Sequence, residues 1–350
     1  MSHPIGITAN AFGNPARERL QGYAAQRGLD AGEVVALTPD ASTREYFRLK
    51  WKRGTAVAAV YPEPFDSQVH PFLDVTRLMR AAKIPVPEIY DVDAASGVIM
   101  QEDCGDRQLR AVFDTATEDE RDDYLDRAIS LIADIQAATP LAYEMDSISS
   151  RLAFDEAKLS WEMDFFMEHF FKSLRRETLR HAVEAQLRAE LLELSADLAA
   201  RPRVLCHRDF HSANLLVDRK DRLRIIDHQD ARMGPASYDL VSLLLDRQTE
   251  LPSLAEVRGR RLYFLEERRR RGLEALDPDD FAREFRLMTV QRCLKAVGTF
   301  SYQTGVCGRG GFYGRYIQPM LKIVLQSLGL LERFPALGDA LRERADETYA

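Results

Sequence analysis

The stretch from residue 205 to residue 230, LCHRDFHSANLLVDRKDRLRIIDHQD, constrains the fold of this chain more than any other part of it. The pattern predicts a short strand, VLC, that ends before His207, and a hairpin made of LLVD and LRIID with RKDR as its turn. The loop between the strand and the hairpin carries Asp209 and Asn214. The hairpin returns Asp227 toward that loop, so the three polar side chains are predicted to lie close together.

Three interpretations of this stretch stay open from the residues alone. His207 and His211 have the i, i+4 spacing of many zinc-binding pairs, but the segment between the strands predicts a loop rather than a helix. A polar hairpin with aspartates in its turn explains the turn, but not why Asp209, Asn214 and Asp227 all follow or precede strands. The third interpretation is phosphoryl transfer. Asp and Asn oxygens suit Mg²⁺, a hard cation that offsets phosphate charge, and a carboxylate can orient an attacking hydroxyl.

The spacing H-R-D-x-x-x-x-N at 207–214, followed by IIDHQD at 225–230, is the catalytic-loop pattern of the protein-kinase fold. Together, VLCHRDFHSANLLV and RIIDHQDARMGPASYDLVSLLLD resemble the aminoglycoside phosphotransferase family, a branch of that fold. Within the family, the chain is most similar to the bacterial anomeric kinases of N-acetylmuramate and N-acetylglucosamine. Four more segments resemble that subgroup in the same order, at 40–49, 84–93, 97–106 and 292–300. The resemblance covers most of residues 35–300.

The resemblance implies an α+β fold with two lobes like those of protein kinases, a small α/β N-terminal lobe and a mostly helical C-terminal lobe. We expect the nucleotide-binding lobe at 1–101, a hinge at 102–105 and the catalytic and substrate lobe at 106–350. The implied activity is ATP-dependent phosphorylation, with Mg²⁺, of the anomeric hydroxyl of N-acetylmuramate or N-acetylglucosamine in the recycling of peptidoglycan sugars. A kinase for another hydroxyl compound such as an aminoglycoside, and a nucleotide-binding pseudokinase, stay open as alternatives.

The resemblance also implies roles for individual residues of the catalytic loop. Asp209 matches the catalytic base, and Asn214 and Asp227 match the ligands of Mg²⁺. His207 and Asp239 match residues that support the loop.

Six residues match positions that bind the nucleotide, three in a loop over the phosphates and three in the hinge beside adenine: Ser42, Thr43, Arg44, Glu102, Asp103 and Cys104. The residues that bind the acceptor are unknown from the sequence. His211, Asp230 and Arg292 are the candidates.

One expected cation is missing from the N-terminal lobe. The third-strand lysine of the kinase fold contacts the α- and β-phosphates and is expected near Val60 and Tyr61, neither of which is basic. Another basic residue must therefore offset the phosphate charge. Arg44 is the first candidate, followed by Arg48 and Lys50.

Two compositionally biased segments, one rich in arginine and one rich in glycine, are predicted to have no role in nucleotide binding. The run EERRRR at 266–271 lies in a helical pattern and is interpreted as a solvated helix face. The glycine-rich GVCGRGGFYG at 305–314 matches neither phosphate-binding glycine motif, so it is predicted to be a flexible connection between helices.

Charge and cysteine content limit the partners and the compartment. The net charge of −7 disfavours a dedicated nucleic-acid binder. The four cysteines form no C-x-x-C pair, which favours free thiols in a reducing cytosol. There is no signal-peptide pattern and no apolar run of the roughly 18 residues that a membrane span needs. We therefore expect a cytoplasmic enzyme for a small-molecule sugar, with no nucleic-acid or membrane partner. The oligomeric state is open and compatible with a monomer.

Overall fold

The computed structural model describes residues 15–30, 33–37, 44–52, 54–247 and 251–349. These residues form an N-terminal part built around an antiparallel sheet and a C-terminal part that is mostly helical. The predicted two-lobed α+β organisation is confirmed. In the described residues, no helix is both long enough and apolar enough to cross a membrane. All four cysteines are free thiols, and only Cys307 is exposed.

The elements of the N-terminal part are, in chain order, α1 (Pro15–Gln26), β1 (Val35–Leu37), β2 (Glu45–Trp51), β3 (Gly54–Val60), α2 (Pro71–Ala81), β4 (Ile89–Asp93) and β5 (Val98–Glu102). The strands pair antiparallel in the order β1-β2-β3-β5-β4. Side chains of β3 alternate between two faces. Ala56, Ala58 and Val60 pack in the core that contains α1, whereas Val57 lines the opposite, cleft side. The sequence NPARERLQGYAAQRG predicts a helix with Asn14 as its N-cap. The helix is present as α1, and Asn14 lies outside the described residues.

The elements of the C-terminal part are α3 (Leu109–Phe113), α4 (Glu118–Ala137), α5 (Thr139–Glu144), α6 (Ile148–Arg151), α7 (Glu156–Phe166), a π-helix (Met167–Leu174), α8 (His181–Ala199), β6 (Arg203–Cys206), β7 (Leu215–Val217), β8 (Leu223–Ile225), β9 (Arg232–Pro235), α9 (Tyr238–Leu245), α10 (Leu254–Arg270), α11 (Pro278–Gly305), α12 (Gly310–Tyr313), a 3₁₀ turn (Gly314–Tyr316), α13 (Ile317–Leu331) and α14 (Pro335–Arg342). The predicted β7–β8 hairpin is present. The sequence TEDE at 117–120 predicts a capping box at the start of α4, and it is present: the Thr117 hydroxyl accepts from the Glu120 N–H and the Glu120 carboxylate accepts from the Thr117 N–H.

Helix α2 ties the two parts together. Its Val75, Leu78 and Met79 belong to the large core of the C-terminal part. On the same helix, Asp74 accepts hydrogen bonds from the Ser147 hydroxyl at 2.5 Å and from the backbone N–H at the start of α6 at 2.9 Å. A helix from within residues 1–101 therefore packs on both parts, and the lobe bounds at 101 and 106 stay a prediction.

The two biased segments differ from their predicted forms. In the run at 266–271, Glu267 and Arg268 are each only 4% exposed. Glu267 accepts hydrogen bonds from Ser130 of α4 and from Arg271, so the prediction of a solvated face is wrong for this side of α10. The glycine-rich segment is not an irregular connection throughout, because α12 and the 3₁₀ turn begin within it and Tyr313 lines the cleft.

Two glycines of α11 allow its backbone to touch its neighbours. A Cβ atom added at Gly298 would lie 2.8 Å from the Cα atom of Phe166, and one added at Gly305 would lie 3.0 Å from the Cα atom of Leu174. Gly298 and Gly305 are i and i+7 positions and so share one face of α11. This face therefore packs closely against α7 and the π-helix: a side chain at 298 would force the neighbouring backbone to shift, and one at 305 would be tighter than an ordinary contact. The helix carries Arg292 and Lys295, whose side-chain nitrogens lie 3.5 and 3.3 Å from Asp209 Oδ1.

The Gly298→Ala variant is expected to lose about 1–3 kcal/mol of its free energy of unfolding, because the new methyl group meets backbone that cannot rotate away. Urea unfolding followed by circular dichroism measures this loss. Gly329→Ala on α13 is the matched control, since a Cβ atom there has no atom within 4 Å. Alanine at 329 should be neutral or stabilising, as expected for glycine replaced in a helix. Equal stabilities of the two variants would contradict the proposed packing.

Candidate active site

A cleft lies between the N-terminal sheet and the catalytic loop. It has a volume of about 940 Å³ and takes lining residues from β2, β3 and the hinge on one side. On the other side it is lined by residues of the 207–214 loop and of the segment 226–230. Asp209, Asn214 and Asp227, which the sequence predicted to converge, all line this cleft.

Local strand pairing explains the convergence. Strand β6 pairs antiparallel with β9 and delivers the 207–214 loop to the cleft. In the β7–β8 hairpin Leu215 is opposite Ile225, and the Ile226 N–H donates to the Asn214 carbonyl at 3.0 Å. Asn214 and Asp227 therefore lie at the same end of the hairpin. The Asn214 side-chain Nδ2 donates to the Asp209 carbonyl at 2.9 Å, which closes the loop and leaves Oδ1 as a possible ligand.

Asp239, in the first turn of α9, holds the start of the catalytic loop. Its carboxylate accepts the backbone N–H groups of His207 at 2.6 Å and Arg208 at 3.0 Å. Burial raises the pKa of Asp239 to about 7, although the two N–H groups favour the charged form. Arg208 has a φ of 85° and Asp227 a φ of 63°, left-handed values that a non-glycine residue adopts only where its surroundings enforce them.

Two buried histidines support the same region without adding charge. His207 Nε2 contacts the Ile226 carbonyl at 3.1 Å, and His228 Nε2 contacts the Thr76 hydroxyl of α2 at 2.6 Å. Burial lowers the pKa of His207 to about 4 and that of His228 to about 3, so both rings are neutral near pH 7. The His207 contact agrees with the support role predicted for it, and the His228 contact attaches α2 to the catalytic segment.

Asp209 is surrounded by cations. Lys295 Nζ lies 3.3 Å and an Arg292 nitrogen 3.5 Å from its Oδ1 atom, and an Arg208 nitrogen lies 3.7 Å from Oδ2. Burial alone would raise the pKa of Asp209, but the charges of Lys295, Arg208 and Arg292 outweigh it and hold the pKa well below its usual value. Asp209 is therefore a carboxylate at neutral pH, and it is better suited to orienting a hydroxyl than to holding a proton.

Of the three residues predicted as acceptor-binding candidates, His211 and Asp230 line the cleft and Arg292 does not. Arg292 is 4% exposed and pairs with Asp246 at 2.8 Å behind Asp209. Its contacts are those of a residue that positions Asp209. Lys295 was missed by the sequence reasoning, although its i+3 spacing from Arg292 on one helix would have indicated a shared face.

Asp227, one of the proposed metal ligands, is partly exposed. Its side chain is 42% exposed, and Oδ1 accepts from Gln229 Nε2 at 2.8 Å and lies 3.4 Å from an Arg44 nitrogen. Within the described ranges, no three His, Cys, Asp or Glu side chains are grouped to hold a metal by themselves. One carboxylate and one amide oxygen do fit Mg²⁺, which takes much of its coordination from phosphates and water. The ligand roles of Asp227 and Asn214 stay predictions.

Ion pairs engage the acidic side chains of the predicted hinge, which lines the cleft. Glu102 pairs with Arg224 at 2.8 Å, and Asp103 accepts from Arg48 at 2.7 and 2.9 Å and from Thr55 at 2.6 Å. Cys104 lines the cleft beside them. The role of this segment in binding adenine stays a prediction.

The structure reduces the number of candidates for the cation that replaces the missing third-strand lysine. Arg48 also pairs with Asp106 at 2.7 Å, so its charge is balanced by the carboxylates of Asp103 and Asp106. Lys50 is exposed on β2 and does not line the cleft. Arg44 lines the cleft between the rings of Tyr46 and Tyr61, with both ring centroids 5.8 Å from its guanidinium carbon. Ser42 and Thr43 lie outside the described residues.

Comparison with known proteins agrees with this geometry. A family model described as the phosphotransferase enzyme family matches residues 33–275. The chain is 32% identical over 286 residues to the N-acetylmuramate/N-acetylglucosamine kinase of Neisseria meningitidis, which covers 81% of this chain and 81% of that protein. A kinase of the same name from Pseudomonas aeruginosa is 30% identical over 288 residues, which covers 80% of this chain and 78% of that protein.

A solved structure shows the same fold at lower identity. ADP-bound aminoglycoside phosphotransferase APH(2'')-Ib is 14% identical to this chain, with a TM-score of 0.55 over 92% of this chain and 98% of that one. The kinase-like fold predicted from the sequence is thereby confirmed.

Proposed function

Because the chain belongs to the phosphotransferase enzyme family, we propose that it is an ATP-dependent kinase of N-acetylated amino sugars. The anomeric oxygen of N-acetylmuramate or N-acetylglucosamine forms a bond to the γ-phosphorus of ATP as the bond from that phosphorus to the bridging oxygen breaks, and ADP and the proton of the hydroxyl are released to solvent. The observation that carries the proposal is the set of Asp209, Asn214 and Asp227 on one wall of a cleft of about 940 Å³. This volume lies in the range of pockets that enclose small molecules.

In this proposal the protein acts mainly by positioning and by charge stabilisation, as phosphoryl transfer requires. Asp209 accepts a hydrogen bond from the anomeric hydroxyl and aligns its oxygen with the γ-phosphorus. Lys295 and Arg292 hold that carboxylate in place. Asn214 and Asp227 bind Mg²⁺, which offsets the charge of the phosphates. Arg44 adds positive charge on the other side of the triphosphate.

The choice of sugar rests on the relatives, both of which carry the names of these two sugars. The charges of the cleft support it against an aminoglycoside acceptor. Aminoglycosides are polycations that need unpaired carboxylates. Here Asp230 pairs with Arg208 at 2.7 Å and Asp246 with Arg292 at 2.8 Å. The pseudokinase alternative is disfavoured because Asp209, Asn214 and Asp227 are all present in the cleft. A cytoplasmic location, where ATP is available, is part of the proposal.

This function is tested by incubating the purified protein with ATP, Mg²⁺ and an acceptor and measuring the ADP that forms. N-acetylmuramate, N-acetylglucosamine, kanamycin and the methyl glycoside of N-acetylglucosamine are the acceptors to compare. The two free sugars are expected to support turnover, with a phosphorus coupling to H1 of the product in NMR spectra. The methyl glycoside should be inert because its anomeric oxygen is blocked. Turnover with kanamycin alone, or with the methyl glycoside, would overturn the proposal.

The Arg44→Ala enzyme is expected to show at least a tenfold loss in kcat/KM for ATP, because a charge-assisted hydrogen bond contributes about 1.5–3 kcal/mol. KM for the sugar should change much less. Arg44→Lys should recover only part of the loss, since an ammonium group cannot bind two phosphate oxygens as a planar guanidinium does. Lys50→Ala, which removes an exposed cation outside the cleft, is the control. Unchanged ATP kinetics in Arg44→Ala would exclude Arg44 as the phosphate-binding cation.

A further inference from the structure

His211 differs from the other buried histidines beside the cleft. Three of the described histidines are buried, and all three lie in the catalytic loop or in the segment that follows it. Nε2 of His207 contacts the Ile226 carbonyl, and Nε2 of His228 contacts the Thr76 hydroxyl. His211 is only 8% exposed, yet no hydrogen bond from the described residues reaches either nitrogen of its ring, and Nδ1 is fully buried.

This unsatisfied imidazole lies on the wall of the cleft. A buried polar group that lacks a hydrogen-bond partner costs a protein about 1–3 kcal/mol, and native structures leave few such groups. A ligand in the cleft can supply the partner that the described part of the chain does not. The unsatisfied ring of His211 therefore indicates a contact with a bound molecule.

The place of His211 in the chain indicates which molecule it contacts. It follows Asp209 by two residues, and its backbone N–H donates to the Asp209 carbonyl at 3.1 Å. Burial lowers the pKa of His211 although the carboxylate of Asp246, at the C-terminal end of α9, opposes the shift, so the ring is neutral near pH 7. In the proposed function Asp209 holds the attacking hydroxyl. His211 is thus placed to contact the acceptor next to that hydroxyl.

The cleft wall formed by α11 and α12 suits a sugar ring. Thr299, Phe300 and Gln303 of α11 and Tyr313 of α12 line it. The rings of Phe300 and Tyr313 stack with centroids 5.7 Å apart and form an apolar surface. Oε1 of Gln303 is another buried atom without a hydrogen-bond partner among the described residues. A sugar can cover the aromatic surface with the apolar face of its ring and offer polar substituents at its edge.

The substituent beside the anomeric hydroxyl is the same in both sugars of the proposed function. Carbon 2 carries an acetamido group, which has one N–H donor and one carbonyl acceptor. A neutral imidazole also has one donor and one acceptor. We infer that His211 binds the acetamido group at carbon 2 and makes the enzyme select N-acetylated sugars over sugars with a hydroxyl at that carbon. The inference rests on the proposed function and adds its specificity-determining residue.

The test compares N-acetylglucosamine with glucose, two acceptors that differ only at carbon 2. With the wild-type enzyme, kcat/KM for glucose is expected to be about tenfold lower or less, because a hydroxyl leaves the buried imidazole unsatisfied. In His211→Leu, kcat/KM for N-acetylglucosamine should fall by about tenfold or more while that for glucose changes little. The ratio of the two values should then approach one. His211→Gln should restore part of the ratio, since its amide also carries a donor and an acceptor.

Gln303→Leu is the matched control, because it removes the other unsatisfied polar group of the same cleft. Gln303 lies eight residues beyond Lys295 on α11, about 12 Å further along the helix axis from the residue that contacts Asp209. It is therefore expected to meet a part of the sugar that N-acetylglucosamine and glucose share. Gln303→Leu should weaken both acceptors equally and leave their ratio at the wild-type value.

The outcomes separate this inference from the proposed function. A wild-type enzyme that phosphorylates neither N-acetylglucosamine nor N-acetylmuramate overturns the proposed function, and the inference falls with it. A wild-type enzyme that phosphorylates N-acetylglucosamine and glucose equally well overturns the inference alone, and this result needs no variant. Equal losses for both acceptors in His211→Leu also overturn it, because they indicate a structural role for the ring. A ratio that collapses in Gln303→Leu but not in His211→Leu assigns the acetamido contact to Gln303 and overturns it as well.

Discussion

The Asp209→Asn enzyme is expected to lose about 10²- to 10⁴-fold in kcat, the usual contribution of a positioned base, while its affinity for ATP stays nearly unchanged. The carboxylate lies in the catalytic loop with Lys295, Arg292 and Arg208 around it. Their charges keep its pKa far below neutrality, so it cannot retain a proton for long. Its main contribution is a fixed negative charge that orients the acceptor hydroxyl, which an amide cannot replace.

Single-turnover kinetics and equilibrium binding of a fluorescent ATP analogue measure the two effects separately. Asparagine at 209 leaves Lys295 and Arg292 without one of their anionic partners, so the free energy of unfolding of the variant must be measured as well. Asp246→Asn is the matched control, because it removes the other carboxylate beside Arg292 and keeps Asp209. It should reduce kcat less than Asp209→Asn does. If Asp209→Asn retains more than about a tenth of the wild-type kcat, Asp209 is not the base.

The part of the site that the sequence predicted is the part built from local structure. Asp209 and Asn214 lie in one loop, and a short hairpin whose register follows from its turn brings Asp227 beside them. The support role of Asp239 was predicted from the resemblance to known kinases, since a carboxylate in the first turn of a helix can also be explained by the helix dipole alone. The resemblance to known kinases added roles to these residues, but their proximity followed from strand and turn patterns.

The rest of the site depends on tertiary packing. Lys295 and Arg292 reach Asp209 because glycines allow α11 to lie directly on α7 and the π-helix, and no helical pattern predicts which helix that face will meet. The sequence placed Arg292 among the acceptor-binding candidates for the same reason: the pattern of α11 does not show which element each face will contact. In the structure Arg292 pairs with Asp246 behind Asp209. The engagement of Arg48 by Asp103 and Asp106 depends on the pairing of β2 with β3 and of β3 with β5.

The Asp227→Ala enzyme is expected to lose Mg²⁺-dependent affinity for ATP more severely than the Asn214→Ala enzyme. An anionic oxygen binds a hard cation more strongly than an amide oxygen does. Removing even an outer-shell partner of a metal costs about 10- to 100-fold in affinity, so loss of the carboxylate ligand should cost at least as much. Asn214→Ala also breaks the hydrogen bond from Nδ2 to the Asp209 carbonyl, so it should reduce kcat more than it reduces ATP affinity.

Titration of Mg²⁺ at a fixed concentration of a fluorescent ATP analogue, without an acceptor, separates these effects from turnover.

The contact between Arg44 and Asp227 adds a second expectation. Without the carboxylate, less negative charge faces Arg44 across the cleft, and more of its positive charge acts on the triphosphate. Binding of ATP in EDTA should therefore be as tight in Asp227→Ala as in the wild type, or tighter, while the gain from Mg²⁺ disappears. Asp227→Asn, which keeps the size of the side chain, should behave in the same way. The reverse order of Mg²⁺ dependence, with Asn214→Ala the more affected, would exchange the roles assigned to the two ligands. Weaker binding in EDTA would instead assign Asp227 to holding Arg44 in place.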